Sequence, residues 1–180
     1  AAAEMAIGFL EEAKTSVKNQ RACALASGKS VDMLFCSVNL AWLAILKGDF
    51  SLAKENLELI KDAVSRAGNP YFLALWHIGM AHAAFLHARK GDAHKHIMTA
   101  NRLGRAMKSH VVEWYSLLVN AYFLLQDEKD KKGLPLLSRA LSLGKQYGYV
   151  HLEFYQPSVM QFLCMRALAE GMYPEYVREL

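Results

Sequence analysis

Strand signals are scarce in this sequence: no run alternates apolar and polar residues as a half-buried strand requires. That lack argues against a sheet. Cysteine is also rare. Cys23, Cys36 and Cys164 form an odd set without a CxxC pair, which argues against a disulfide framework and favours a reduced, cytoplasmic setting. Proline (4) and glycine (11) never cluster into a linker, so a single domain over 1–180 is expected. Charge of one sign is missing too: a net +4 sets up no strong field toward nucleic acid or a membrane surface. The longest uncharged stretches carry His, Asn or Gln, and none matches a membrane span. The start, Ala1-Ala2-Ala3-Glu4, has neither a basic region nor an apolar run and predicts no secretory leader.

Patterns that carry chemistry are equally sparse. There is no GxSxG, no phosphate-cradling Gly-rich loop and no Cys/His signature. Glu11-Glu12, Glu55 with Glu58, and Asp127 with Glu128 and Asp130 read as solvated faces or helix ends, not as acid/base pairs in an apolar pocket. The expectation is a non-enzyme without a cofactor. His77, His82 and His87 recur every five residues, about 140° apart on a helix, so they cannot share one face. Neither HExxH nor Glu-x-x-His accompanies them, and His94 and His96 point to opposite sides, so no metal site is expected. Arg89, Lys90, Lys95, Arg102, Arg105 and Lys108 oppose only Asp92 over 89–108. This cluster reads as a solvated outer helix, with docking of an acidic partner or phosphate as the alternative. Without a recognition helix or basic arm, direct nucleic-acid binding is not expected.

What the chain has in abundance is helical periodicity. Fifty-three per cent of residues are apolar and 21 per cent charged, which argues against disorder and supplies a large core for 180 residues. Helices are predicted near 3–26, 31–47, 50–67, 70–89, 92–107, 110–127, 131–147 and 151–170, with another beginning near 174. Lys47-Gly48-Asp49 and Lys90-Gly91-Asp92 pair a helix-ending Gly with an Asp that can cap the next helix. Gly68-Asn69-Pro70 places Pro in a first turn, and Pro157 makes the 151–170 helix kink or start late. Connections this short force consecutive helices antiparallel.

The helices also repeat. A small residue followed seven positions on by a helix end occurs as Ala41 to Gly48, Ala84 to Gly91, Ala121 to Glu128 and Cys164 to Gly171, at intervals of 43, 37 and 43 residues. Phe35, Phe72, Trp114 and Phe154, spaced 37, 42 and 40 apart, form a second ruler near the starts of the first helices. Such periods mark stacked hairpins, each unable to bury its apolar face alone. The fold expected is all-α, a right-handed superhelix of about four hairpins: 31–67, 70–107, 110–147 and 151 onward, with 3–26 on one end. Ala41, Ala84 and Ala121 should lie where helices approach closely.

Leu40-Ala41, Gly48-Asp49-Phe50 and Ala53 resemble the tetratricopeptide pattern of a Leu-small pair, a Gly-Asp-aromatic turn and a small residue in the second helix. The second copy keeps Ala84, Gly91 and Asp92 with His96 at the small position. The third keeps Ala121, and the fourth keeps Leu163, Gly171 and Tyr173. The period exceeds the standard 34 residues, so the repeat is tetratricopeptide-like. Residues 170–180, Glu-Gly-Met-Tyr-Pro-Glu-Tyr-Val-Arg-Glu-Leu, resemble the end of the helical-repeat region in MalT-like bacterial transcriptional regulators. In those proteins an ATPase module, a repeat region and a DNA-binding domain follow one another. The resemblance implies a sensor and interaction platform excised from a longer chain. The apolar residues Met172, Tyr173, Tyr176, Val177 and Leu180 add the expectation that this end meets a further domain or a second copy.

Trp42, Phe85, Tyr122 and Met165 each follow the small residue of the repeat. In tetratricopeptide arrays that position faces the concave groove, here beside Val38, Ile45, Ile78, Ala81, Tyr115, Leu118, Gln126 and Gln161. The candidate binding set is Trp42, Phe85, Tyr122, Met165, Gln126, Gln161 and Arg89. An aromatic groove with a few polar groups suits a peptide helix or a small-molecule inducer. The alternative is that the aromatic ladder is simply core. Two functions compete: the sensor region of a bacterial transcriptional regulator, and a stand-alone scaffold that docks a peptide or partner helix.

Overall fold

The computed structural model describes residues 4–5, 8–27, 30–151, 154 and 156–180. Parts of the predicted helices at 3–26 and 151–170 lie outside these residues. Among the described residues there is no strand. Helices run over Leu10–Ser27 (α1), Ser30–Leu46 (α2), Phe50–Ala67 (α3), Pro70–Leu86 (α4), Lys90–Ala106 (α5), His110–Gln126 (α6), Asp130–Tyr147 (α7), Pro157–Ala169 (α8) and Pro174–Glu179 (α9). From α1 to α7 each packs on the next, and the first helices α2, α4, α6 and α8 also touch in a row. The result is an all-α helical-repeat superhelix.

Local chemistry sets the boundaries. The Asp49 carboxylate accepts from Leu52 N at 3.0 Å and starts α3. Asn69 does the same for Tyr71 N at 2.9 Å, with Pro70 in the first turn of α4, where its missing N–H leaves no bond unmade. Pro157 likewise opens α8, so that helix starts late. Asp92 departs from expectation. Helix α5 begins earlier, at Lys90, and the Asp92 carboxylate takes the Arg89 guanidinium at 2.6 Å instead of capping the helix.

That shift corrects the register of the repeat. The turn residue with left-handed backbone is Gly48 (φ 75°), then Ala88 (φ 57°), Glu128 (φ 57°) and Gly171 (φ 66°). These are 40, 40 and 43 residues apart. Gly91, by contrast, lies inside the first turn of α5. The counterparts of Ala41 are therefore Ala81 and Ala121, all buried, whereas Ala84 sits three residues on, beside a small crevice. The aromatic ruler mixed registers too: Phe72 is the third residue of α4, Phe35 the sixth of α2, and Phe154 lies in the connector before α8. Glycine misled the first reading at the second turn, because Ala88 occupies the left-handed position there while Glu128 takes it in the third, as expected.

At the carboxyl end the apolar residues fold inward. Tyr176 and Val177 of α9 are buried against α7 and α8, and Met172, Tyr173 and Leu180 are half-buried on the same core. Tyr176 Oη donates to the Tyr149 carbonyl. Gly144 makes room for it: a Cβ there would lie 2.0 Å from Tyr176 Oη and 2.5 Å from Trp114 Nε1. The apolar end is thus largely covered by the chain itself.

Two substitutions test this packing and register. Gly48→Ala should cost about 1 kcal/mol because an L-residue is strained at that φ. Gly91→Ala should stabilise by up to about 1 kcal/mol, since α5 is helical there and the space is open. Chemical denaturation measures both, and equal losses would restore the Gly48–Gly91 equivalence. Separately, Gly144→Ala should cost about 1–3 kcal/mol through overpacking, with detachment of α9 visible as faster amide exchange over 174–179.

Candidate functional site

The corrected register rebuilds the ladder on the inner face of the first helices. The residue after each small position is Trp42, then His82, Tyr122 and Met165; Phe85 lies one turn further along α4. Exposure grades along this row. Trp42 is 1% and His82 2% exposed, Tyr122 is half-buried, and Met165 is 64% exposed. Val38, Ile45, Ile78, Ala81, Tyr115 and Leu118, expected beside an open groove, are all buried.

The cover comes from the chain itself. Connections between the other helices from α2 to α7 are two or three residues long, but α7 and α8 are separated by residues 148–156. The described residues of this connector return across the first helices. Tyr149 packs on Trp114 with ring centres 5.4 Å apart, and the Phe154 carbonyl accepts from Tyr115 Oη. The Phe154 ring is fully buried, 6.0 Å from the Trp42 ring. It also lies against Gly79, where even a Cβ would come within 3.1 Å of Phe154 Cζ. Gln156 Nε2 then stands 2.9 Å from His82 Nδ1, so the amide donates to an imidazole whose proton sits on Nε2. That Nε2 is buried with no hydrogen-bond partner.

Of the seven candidates, Phe85 and Tyr122 remain together, ring centres 5.8 Å apart, on a recess of about 400 Å³ whose lining also includes Ile45, His82 and Gln156. Phe85 is stacked on Phe123 at 4.2 Å, and Tyr122 meets Phe162 of α8 edge-on at 5.6 Å. Trp42 is core, because Phe154 covers it. Gln126, Gln161 and Met165 are exposed and line no part of the recess. Arg89 turns instead into a crevice with Lys54, Asp92 and His96. His82, Phe154 and Gln156 are the residues that sequence reasoning missed. Only the long connector, readable from the helix boundaries, could have pointed to them.

Among the described residues no group of three His, Cys, Asp or Glu side chains is placed to hold a metal, and no helix is long and apolar enough to cross a membrane. His77 and His96 do pair, Nδ1 to Nδ1 at 2.8 Å, beside Trp76. Burial and the His96 charge push His77 down to about 4, and burial lowers His96 as well. Cys36 is buried and Cys164 half-buried, whereas Cys23 is exposed on α1. The basic cluster of α5 is solvated: Lys95, Arg102 and Arg105 are exposed. Comparison with family models, curated proteins and solved structures finds no match for this chain.

Burial holds the His82 pKa down at about 4, below the ordinary 6.5. A group with a depressed folded pKa takes up its proton more readily when unfolded. Stability should therefore be full above about pH 6.5 and fall as pH drops toward 4, with His82 alone accounting for roughly 3 kcal/mol at the lower limit. His77 and His96 act in the same direction. Urea unfolding at a series of pH values measures the slope, and a flat profile between about pH 6.5 and 4.5 would contradict a buried neutral His82.

Proposed function

We propose that this chain is a non-enzymatic binding module, the sensor or interaction region of a bacterial transcriptional regulator, which takes an apolar side chain of a partner protein into the Phe85–Tyr122 recess. The observation that carries the reading is the incomplete cover of the inner face. Phe154 and Gln156 close the ladder over Trp42 and His82, yet Tyr122 stays only half-buried where it lines the recess beside Phe85. A recess of about 400 Å³ accommodates one anchoring side chain or a small inducer, with Gln156 and Tyr122 as polar groups at its rim. The segment at 170–180 supports placement in a MalT-like regulator, with ATPase and DNA-binding domains as neighbours in the parent chain. The helical-repeat fold supports partner binding more generally, because its extended faces suit contact with other chains. A stand-alone scaffold would use the same recess.

Amphipathic helical peptides selected for binding to this chain give the test. Tyr122→Ala should weaken their capture by about 2 kcal/mol or more, beyond a loss of stability smaller than that of a fully buried ring. Trp42→Ala should do the reverse, costing about 3–5 kcal/mol of stability as a buried core truncation. Peptides that bind the Tyr122→Ala protein as tightly as the wild type would remove the recess as the site.

A further inference from the structure

A second hollow, of about 680 Å³, opens between the second helices α5 and α7, above the last turns of α6. We propose that it binds a small organic anion with an apolar body, its carboxylate or phosphate head at a lysine rim and its body against Met98, Phe123 and Leu136.

Three observations converge on that chemistry. The rim carries Lys90, Lys129, Lys131 and Lys132 around a single carboxylate, Asp127. Asp127 pairs with both Lys90 and Lys129, at 3.1 Å for the latter, so it cannot neutralise the rim. Of the two other acids in the same turn, Asp130 is held by Arg166 at 2.7 Å, and Glu128 lies outside the lining.

The amino-terminal turns of both α5 and α7 also lie at the hollow, through Lys90-Gly91 and through Lys129, Lys131 and Lys132. Neither Arg89 nor Lys129, the capping residues, supplies a side-chain hydrogen bond to its helix. Two helix ends of positive polarity therefore add to the lysines.

The third observation is independent of charge. Asn120, only 8% exposed, belongs to the lining, where its Nδ2 reaches Met98 Sδ at 3.8 Å and its Oδ1 has no partner. Buried amides are normally satisfied, and because Oδ1 is an acceptor, a hydroxyl or N–H carried on the otherwise apolar ligand body would complete this one. The volume falls in the range of small-molecule sites, on the order of 300–1,000 Å³. An apolar interior with one buried amide and a cationic mouth selects an amphiphilic anion over a neutral hydrophobe or a bare ion. Phe85 is shared with the inner recess, but the two hollows otherwise have separate linings.

Calorimetric titration of the whole chain with octanoate and with octyl phosphate tests the site, with octanol and inorganic phosphate as the separate halves. Both amphiphilic anions should bind one to one, and each half alone at least about tenfold more weakly. Lys131→Glu with Lys132→Glu, both exposed, should weaken octanoate by about tenfold or more, and added salt should weaken it further. Met165→Ala, exposed and outside this lining, should leave octanoate binding unchanged. Octanol binding as tightly as octanoate would reduce the site to an apolar patch, and phosphate matching octyl phosphate would reduce it to a surface ion site. Undiminished binding by the charge-reversed protein, or no saturable binding of either anion, would also overturn the assignment.

Discussion

The first helices of the hairpins are apolar on nearly every side, and the rest of the molecule is arranged to keep them dry. In α4, eleven residues from Phe72 to Ala84 are buried, against four in the following α5. A second helix can cover only one flank of such a segment, and the neighbouring first helix only another. The inner flank needs a third cover. Phe154 and Gln156 supply it for α2 and α4, where the ladder residues are Trp42 and His82, and the cover thins over α6. The recess at Phe85 and Tyr122 is what that thinning leaves.

Polar groups follow the same logic. His82 is tolerated in the core because Gln156 meets one nitrogen, and its neutral form avoids the cost of a buried charge. Ion pairs between helices lie instead at the edges: Lys47 with Glu11, Lys90 with Asp127, Arg139 with Glu113 and Arg166 with Asp130. Pairs so exposed add little stability. Three of them join successive units of the stack, Arg139 with Glu113 joins the two helices of one hairpin, and at the α5–α7 mouth cationic charge is left unspent.

Much of this architecture was legible beforehand, for a local reason. Helix ends depend on residues within one turn, so Asp49, Asn69-Pro70 and Pro157 could be read where they stand. Alternating hairpins followed from short connections. The candidate site was harder. Phe85 and Tyr122 do meet on the recess, but Gln126, Gln161 and Met165 are exposed away from it, and Arg89 is drawn off by Asp92. Gly91 resembled the turn glycine of the first repeat, and only the backbone angles at Ala88 reveal that the turn comes three residues earlier.

By itself the sequence determined the helical class, the antiparallel order and most helix boundaries, because periodicity and capping act over a few neighbouring residues. The tertiary structure decided which inner residues are covered. That choice depends on contacts such as Gln156 with His82, 74 residues apart, and Phe154 with Trp42, farther still. No local pattern marks a Phe that returns across three hairpins. It is placed by the space beside Gly79 and by the apolar face that would otherwise meet water.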